Sequence, residues 1–267
     1  MNAWVSDPDH FLDAMLDRQI HNVESYRFGG ERVWVKKAGP RNARWRYALL
    51  GGIVGALRMR VLQPVPNLGG ADAIRTEAER LRRLADAGVR VPRLLAASPR
   101  GLMLADLAGD RDEALSLQQE MSRRADADTC FADFVEGVDA LTDVHRRGAY
   151  LSQAFARNMV RAADGRIAFI DFEDDPGRVL ALAECQARDW LCYIQSTALI
   201  LGPWQRLDDA IDLLARQLQP TPAFAHLVRT ARRLTWLRRL PDASFIGRDG
   251  QRLRNSAQVL HGLVLRG

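Results

Sequence analysis

The sequence predicts an α+β protein with two lobes, a small strand-rich one followed by a larger helical one. β-rich stretches separated by turn residues occupy the first third of the 267-residue chain. From about Ala183 onward the apolar residues instead recur with helical spacing, interrupted by proline. The hydrophobic fraction of 47% and the charged fraction of 27% are those of an ordinary folded protein. Strands and helices segregated along a chain are typical of this class.

The first elements follow from local signals. Residues 6–18 are predicted to form a helix with Ser6 as its N-cap, and its apolar stripe consists of Phe11, Leu12, Met15 and Leu16. Two β-rich stretches, 23–28 and 32–36, flank Gly29-Gly30, a pair that suits the positive φ angles of a two-residue hairpin turn.

The later elements are predicted in the same way, and residues 106–109 interrupt them as a candidate hinge. The expected elements are a helix at 74–87 ended by Gly88, strands at 94–97 and 102–104, a helix at 130–147 and a hairpin around Asp164-Gly165. We therefore expect a single domain over 1–267 that divides into a first lobe at 1–104, a hinge at 105–109 and a helical lobe at 110–267.

The charge of the chain suits an anionic partner. The net charge is +5 and the pI is near 9.5, values compatible with a nucleotide, a phospholipid head group, a phosphorylated sugar or nucleic acid. Of the 38 basic residues, 36 are arginine, and the only two lysines are Lys36 and Lys37. They stand where a compact ammonium is hard to replace with a guanidinium group.

Other features limit where the protein works. No apolar run approaches the ~20 residues of a membrane-spanning helix, and the N-terminus lacks the basic and apolar regions of a secretory signal. The three cysteines, Cys130, Cys185 and Cys192, have no metal-ligand spacing, and their odd number argues against a disulfide framework. We therefore expect a cytoplasmic protein with buried thiols.

Four features follow one another as a kinase-type phosphoryl-transfer site requires. The stretch Val33-Trp-Val-Lys36 is a strand ending in a lysine that can hold nucleotide phosphates. Glu77 lies on the helix that follows and can pair with this lysine. His145-Arg-Arg-Gly148 leads into a loop that ends at Asn158. Asp171, in Ile170-Asp-Phe-Glu173, comes thirteen residues later. An amide oxygen from Asn158 and a carboxylate from Asp171 are ligands that suit Mg²⁺, and a hairpin between them would place them side by side.

These motifs resemble the protein-kinase-like superfamily, especially the small bacterial branch that phosphorylates lipopolysaccharide core sugars (Kdo and heptose). The phrase Arg147-Gly-Ala-Tyr, continued by Asn158-Met-Val and by Asp164-Gly-Arg-Ile-Ala-Phe-Ile-Asp-Phe-Glu173, is similar to the family's catalytic and metal-binding loops. The stretch 77–92 is similar to its regulatory helix and the strand after it. The resemblance covers roughly residues 23–195 and is most specific in 145–175.

The resemblance implies a phosphotransferase that binds ATP and Mg²⁺ between the lobes. It implies a hinge from Leu104 to Gly109 that includes Asp106, with both Leu104 and Asp106 at the nucleotide. It also implies that Asp189 begins a buried helix and supports the catalytic loop. The acceptor would be a small-molecule or lipid-linked hydroxyl, such as that of an envelope glycolipid.

Three departures from the family pattern matter. Gln153 stands where the family has a catalytic aspartate, and an amide can orient a hydroxyl but cannot take its proton. No glycine-rich loop precedes the strand of Lys36. Glu173 replaces a glycine, and only 18 residues separate Asp171 from Asp189, which leaves little room for a peptide-docking segment. Two alternatives to a kinase therefore stay open, namely a nucleotide-binding pseudokinase scaffold and an enzyme that transfers AMP.

Several of these residues also have ordinary structural interpretations. Either Lys36 or Lys37 can be the phosphate ligand, because strand alternation sends them to opposite faces, and we favour Lys36. Glu77 is favoured as its partner, although Glu79 and Glu77 could both make surface pairs with arginines. His145 is expected to be structural. Glu173, Asp174 or Asp175 could substitute for the missing base, but Asp174 and Asp175 are expected to be solvated rather than catalytic.

Two arginine-rich stretches are ambiguous. Residues 41–63 mix arginine with apolar residues, and they could either lie on an anionic inner membrane surface or pack as a helix on the small lobe. The arginines between Arg229 and Arg239 flank Trp236 and Leu237. No nucleic-acid-binding motif accompanies them, so a solvated helix face is expected rather than a nucleic-acid site.

Overall fold

The structure is a computed structural model that describes residues 7–39, 60–62, 65, 69–109, 111, 113–239 and 243–267. The arginine-rich segment 41–63 lies outside the described residues except for Arg60–Leu62, which form a 3₁₀ turn. In the described part of the chain, no helix is long and apolar enough to cross a membrane.

The described residues form an α+β structure, as the sequence predicts, with helices in the majority. The helices are α1 (Pro8–Arg18), α2 (Gly70–Asp86), α3 (Leu117–Arg123), α4 (Ala127–Arg146), α5 (Leu182–Leu201), α6 (Leu207–Leu218), α7 (Pro222–Leu234) and α8 (Ala243–Arg266). The strands are β1 (Val23–Phe28), β2 (Glu31–Lys37), β3 (Leu94–Ser98), β4 (Gly101–Ala105), β5 (Met159–Arg161) and β6 (Ile167–Phe169).

The chain divides into two compact units. Unit 1 comprises Met1–Leu57, Gln63–Ala114 and Arg161–Arg178, and unit 2 comprises Arg58–Leu62, Leu115–Val160 and Val179–Gly267. The first unit thus extends past the expected boundary at 104 and the expected hinge at 105–109. It also takes in the segment around Asp171, which the sequence placed in the helical lobe.

Unit 1 is built on a four-stranded antiparallel sheet in the order β1-β2-β4-β3. The β1–β2 hairpin turns at Gly29 and Gly30, whose φ angles of +59° and +87° are those that only glycine adopts without strain. Alternation along β2 points Val33 and Val35 into a core with Leu12 and Leu16 of α1. The cap of α1 is Asp7, which accepts a hydrogen bond from Asp9 N, rather than the predicted Ser6.

Unit 2 is helical, and α4 and α5 contribute its largest fully buried side chains, Phe134, Trp190 and Tyr193. Tyr193 of α5 is fully buried, stacks on Phe134 of α4 and donates a hydrogen bond from its hydroxyl to the Phe134 carbonyl oxygen at 2.7 Å. Burial raises the pKa of Tyr193 well above its ordinary value, so the hydroxyl keeps its proton and remains a donor. Gly137, one helical turn after Phe134, lies directly under this hydroxyl. Cys130 and Cys185 are buried in this unit, as expected, whereas Cys192 is half-buried.

Gly137→Ala is expected to destabilise the protein by about 2 kcal/mol, because a methyl group at this position overlaps the Tyr193 hydroxyl and the Leu117 side chain. Chemical denaturation of the wild type and the variant measures the loss. Tyr193→Phe is the matched second change, since it removes the atom that the methyl group meets. The double variant should therefore lose less stability than the two single losses added together. Simple additivity would contradict this packing.

Candidate active site

Three carboxylates in unit 1 converge on the amino group of Lys36. Lys36 Nζ lies 2.8 Å from Glu77 Oε2, 2.9 Å from Glu173 Oε1 and 3.2 Å from Asp171 Oδ1. The side chain of Glu77 is 2% exposed and that of Lys36 17%, whereas those of Asp171 and Glu173 are 40% and 41% exposed. The chain thus brings together four residues that span 137 positions in the sequence. We call this set the Lys36 cluster.

The Lys36 cluster carries more negative than positive charge. Burial by itself would lower the pKa of Lys36, but the charges of Glu77, Asp171 and Glu173 outweigh it and raise that pKa above its ordinary value. Burial raises the pKa of Glu77, and the two other carboxylates add to this rise against the opposing charge of Lys36. The pKa shifts of Lys36 and Glu77 thus both follow from charges and burial within this cluster.

The neighbouring lysine points elsewhere. Lys37 lies on the face of β2 that Val33 and Val35 share, and its Nζ donates a hydrogen bond to the carbonyl oxygen of Gln19, just after α1. Lys36 is the lysine that meets Glu77. Glu79, by contrast, lies half-exposed near Arg83 at 3.7 Å and Arg178 at 3.8 Å, as a surface pair would.

Asp171 has an unusual backbone conformation. The buried strand β6 precedes it, and the Phe169 amide donates a hydrogen bond to the Arg90 carbonyl oxygen at 2.9 Å. Asp171 itself has φ = +71°, in the left-handed region that disfavours residues with a Cβ atom. Such strain costs of order 1–3 kcal/mol and accumulates where function requires a particular geometry. The Asp171 carboxylate lies 3.2 Å from Lys36 Nζ in this conformation.

The segment after Asp171 is fastened to helix α2 by arginines. Asp175 is 6% exposed, and its carboxylate lies 4.0 Å from the buried Arg80, 3.5 Å from Arg83 and 3.9 Å from Arg178. Arg178 also donates a hydrogen bond to Thr76 at 3.2 Å. The prediction that Asp174 and Asp175 are solvated is wrong, since both are buried. The arginines of α2 that cover this segment lie some 90 residues earlier in the chain.

The predicted hinge residues carry structural hydrogen bonds within unit 1. Asp106 Oδ1 accepts from the Trp34 indole at 2.7 Å, and Asp106 Oδ2 accepts from the Ala108 amide at 3.1 Å. Leu104 pairs with Trp34 across β2 and β4 and is half-buried. Gly109 has φ = +64°, and a Cβ atom there would lie 2.8 Å from the Ala163 side chain. Asp106 thus fixes the exit from β4, and nothing in these contacts assigns it to a ligand.

In unit 2, a buried aspartate supports the loop that carries Gln153. Asp189 is fully buried, and its Oδ2 accepts a hydrogen bond from the Leu151 amide at 2.8 Å and lies 3.1 Å from His145 Nε2. His145 also packs edge-on against Trp190, which fits its expected structural role. Asp189 does not begin its helix, because α5 starts seven residues earlier at Leu182.

The loop itself is shaped by two features. Ser152, the residue before Gln153, is fully buried and has φ = +85°. Like Asp171, it is a strained residue next to or within the predicted site. The carbonyl oxygen of Gln153 accepts from the Phe155 amide at 2.7 Å and from Asn158 Nδ2 at 3.1 Å. This bond orients the buried Asn158 amide. The sharing of one metal ion by Asn158 and Asp171 stays a prediction, because the two residues belong to different units.

Comparison with known proteins adds no family. No protein-family model and no curated protein matches this chain. The geometry of the described residues therefore carries the functional argument.

The residues of the Lys36 cluster fit a magnesium–nucleotide complex. Asp171 and Glu173 provide hard carboxylate oxygens at the partly exposed side of a cationic amine, which is the donor type that Mg²⁺ prefers. Within the described residues, no group of three or more His, Cys, Asp or Glu side chains has the arrangement of a protein-only metal centre. Mg²⁺ usually keeps several waters and phosphate oxygens as ligands, so one or two carboxylates suffice.

Sequence reasoning assigned no contact to Glu173 and missed the role of the arginines of α2. The position of Glu173 could have indicated its contact with Lys36. It stands two residues after Asp171, where the pattern of the resembled family has a glycine. Arg80 gave a weaker signal, because it lies one helical turn after Glu77 and so shares its face of α2.

Proposed function

We propose that this protein is a kinase-like, two-lobed phosphotransferase that uses ATP and Mg²⁺ to modify a small-molecule or lipid-linked hydroxyl. The observation that carries the proposal is the Lys36 cluster. A buried lysine–glutamate pair in which the lysine also meets a strained aspartate is the arrangement that kinases use to hold nucleotide phosphates.

Each residue has a distinct task in this proposal. Lys36 binds the α- and β-phosphates, and Glu77 holds the ammonium group of Lys36 in place. Asp171 is the metal ligand of unit 1. Bound Mg²⁺ would neutralise the charge that develops on the phosphates. Hard-oxygen ligands and a fixed ammonium stabilise that charge without any covalent chemistry by the protein.

The ion pairs that hold residues 171–178 against α2 favour a small acceptor over a protein substrate. Many protein kinases order their activation loops by pairing a phosphorylated residue with arginine. Here the Asp175 carboxylate already lies 4.0 Å from Arg80 and 3.5 Å from Arg83, so no modification is needed to form these contacts. The segment between Asp171 and α5 is short and half of it is tied to α2, so it offers little surface for docking a polypeptide.

Gln153 is the feature that supports the alternative functions. Without a carboxylate at this position, the attacking hydroxyl has no base in the usual place. A pseudokinase needs no base, and neither does transfer of AMP. We favour phosphoryl transfer because a scaffold has little need of a strained Asp171 with metal-ligand chemistry. Positioning and electrostatics provide most of the catalysis in this reaction.

The first test is thermal stability with and without ATP and Mg²⁺, on the wild type and on Asp171→Ala. A ligand at ~100 times its dissociation constant should stabilise the folded protein by roughly 2.7 kcal/mol. We expect a shift that requires Mg²⁺ and disappears in Asp171→Ala. Asp164→Ala is the matched control, because Asp164 lies in the nearby β5–β6 turn and pairs with Arg90 instead.

Mass spectrometry of candidate acceptors then separates the three functions. A gain of one phosphoryl group supports the proposal, and a gain of AMP supports the nucleotidyl-transfer alternative. Binding without any turnover across an acceptor panel would favour the pseudokinase. Absence of a thermal shift with every nucleotide would rule out this use of the Lys36 cluster.

A further inference from the structure

The net positive charge of the protein lies in the C-terminal part of unit 2. Residues 213–267 contain ten arginines and two aspartates, a net charge of +8. The preceding 212 residues contain 28 basic and 31 acidic residues, a net charge of −3. No acidic residue occurs between Asp212 and Asp242. A chain of moderate overall charge therefore has one strongly basic region.

Five of these ten arginines are exposed on helix α7 and in the turn that follows it. Helix α7 buries Ala223, Leu227 and Ala231 against the rest of unit 2. Its exposed side presents arginines at the i, i+3 and i+4 positions, which share one face of a helix. The 3₁₀ turn Thr235–Arg239 follows directly and adds two more. We define the arginine face as Arg229, Arg232, Arg233, Arg238 and Arg239 together with Trp236.

The arginine face differs from the other charged surfaces of the protein. Some exposed arginines elsewhere pair with carboxylates, as in Arg90–Asp164 at 2.6 Å and Arg147–Asp143 at 2.8 Å. Among the described residues, no carboxylate lies within salt-bridge distance of Arg229, Arg232, Arg238 or Arg239. These like charges repel one another, and an anionic partner would relieve that repulsion.

An exposed tryptophan lies within the same surface. The Trp236 side chain is 62% exposed, with Thr235 before it and two arginines shortly after it. A large indole left in water is unfavourable, but at a membrane surface its apolar ring and polar N–H are both accommodated. Basic residues around an interfacial aromatic residue are typical of segments that bind anionic lipid headgroups.

We propose that the arginine face binds the surface of an anionic lipid bilayer, with Trp236 inserted at the headgroup level. A nucleic acid would also complement the charge. Sites for single-stranded nucleic acid stack successive bases on several aromatic side chains, however, and Trp236 is the single exposed aromatic of this face. The proposal is independent of the Lys36 cluster, since it rests on surface charge in unit 2.

Co-sedimentation with vesicles tests the proposal on the full-length protein. Vesicles of mixed phosphatidylglycerol and phosphatidylcholine should bind the wild type, and pure phosphatidylcholine vesicles should not. Each arginine near an anionic surface contributes about 1 kcal/mol, so Arg238→Gln/Arg239→Gln should weaken binding about 25-fold. Arg18→Gln/Arg123→Gln removes the same charge from exposed positions elsewhere and should have little effect. Circular dichroism establishes that both variants fold.

Trp236 provides a second readout. Bilayers with brominated acyl chains should quench part of the wild-type tryptophan fluorescence, and the quenching should fall in Trp236→Phe although five other tryptophans remain. Equal weakening in both arginine variants would assign binding to bulk charge and overturn the proposal. So would absence of vesicle binding, or binding of short DNA or RNA duplexes that only the Arg238→Gln/Arg239→Gln variant loses.

Discussion

Lys36→Met is expected to reduce ATP-dependent transfer by about 10³-fold, whereas Lys37→Met should leave it within about twofold of the wild type. The two lysines are adjacent in β2, but only Lys36 meets Glu77 and Asp171. Lys37 contacts the carbonyl oxygen of Gln19 on the opposite face. Because no other lysine exists in the chain, the pair is a matched test of one ammonium group against another.

The charge state of Lys36 should not limit this reaction at physiological pH. Its folded-state pKa lies above the ordinary 10.5, so its stabilising interactions are fully present below that value and are lost as the pH rises through the folded-state pKa. The ratio of wild-type to Lys36→Met activity should therefore be constant from neutral to mildly alkaline pH.

Lys36→Arg is the variant that separates folding from function. It keeps the positive charge among three carboxylates and should therefore fold even if Lys36→Met, which leaves Glu77 buried without its partner, is destabilised. The guanidinium group is larger and planar, so phosphate binding should still be impaired. Wild-type activity in both Lys36 variants, measured by ADP release and by phosphoacceptor mass, would refute the proposed phosphate site.

Glu173→Gln is expected to make nucleotide binding less dependent on Mg²⁺. In the wild type, the Glu173 carboxylate lies 2.9 Å from Lys36 Nζ, so a triphosphate that approaches Lys36 meets the negative charge of Glu173. Removing one partly exposed charge should tighten Mg²⁺-free ATP binding about fivefold, a modest value because solvent screens Glu173. If Glu173 also binds the metal, the affinity for ATP·Mg²⁺ falls as well, and the dissociation constants with and without Mg²⁺ move closer together.

Calorimetric titration with ATP in EDTA and with ATP·Mg²⁺ measures the ratio of these dissociation constants directly. Glu79→Gln is the matched control, since Glu79 lies on the same helix as Glu77 but pairs with Arg83 and Arg178 at the surface. An unchanged ratio in Glu173→Gln would show that the Glu173 carboxylate leaves Lys36 when the nucleotide arrives. A changed ratio in Glu79→Gln would point to a general effect of charge instead.

Local signals predicted most elements of this fold. The Gly29-Gly30 hairpin is confirmed because only glycine tolerates two successive positive φ angles without strain. The stripe in α1 is confirmed because Leu12 and Leu16 lie one helical turn apart and both are buried. The predicted boundaries of the elements were less accurate. The N-cap of α1 is Asp7, one position after the predicted Ser6, and the two side chains have similar capping chemistry.

The chemistry of the Lys36 cluster was partly visible in the sequence, because a lysine ending a strand, a glutamate on the next helix and an aspartate after a buried strand form a recognisable order. Three contacts were not visible. Whether Lys36 or Lys37 faces Glu77 depends on which face of β2 packs against α1. The burial of Asp175 depends on arginines of α2. The approach of Glu173 to Lys36 depends on the path that these ion pairs impose on the segment after Asp171.

The sequence by itself determined the α+β class and the order of the elements, and it singled out Lys36, Glu77 and Asp171 as candidate site residues. Hydrogen bonding, side-chain periodicity and the φ preferences of glycine act over a few residues, so they can be read along the chain. Only the tertiary structure decided which charges meet. Ion pairs such as Lys36–Glu173 and Arg80–Asp175 join residues about 100 positions or more apart, and their formation depends on how helices and strands pack.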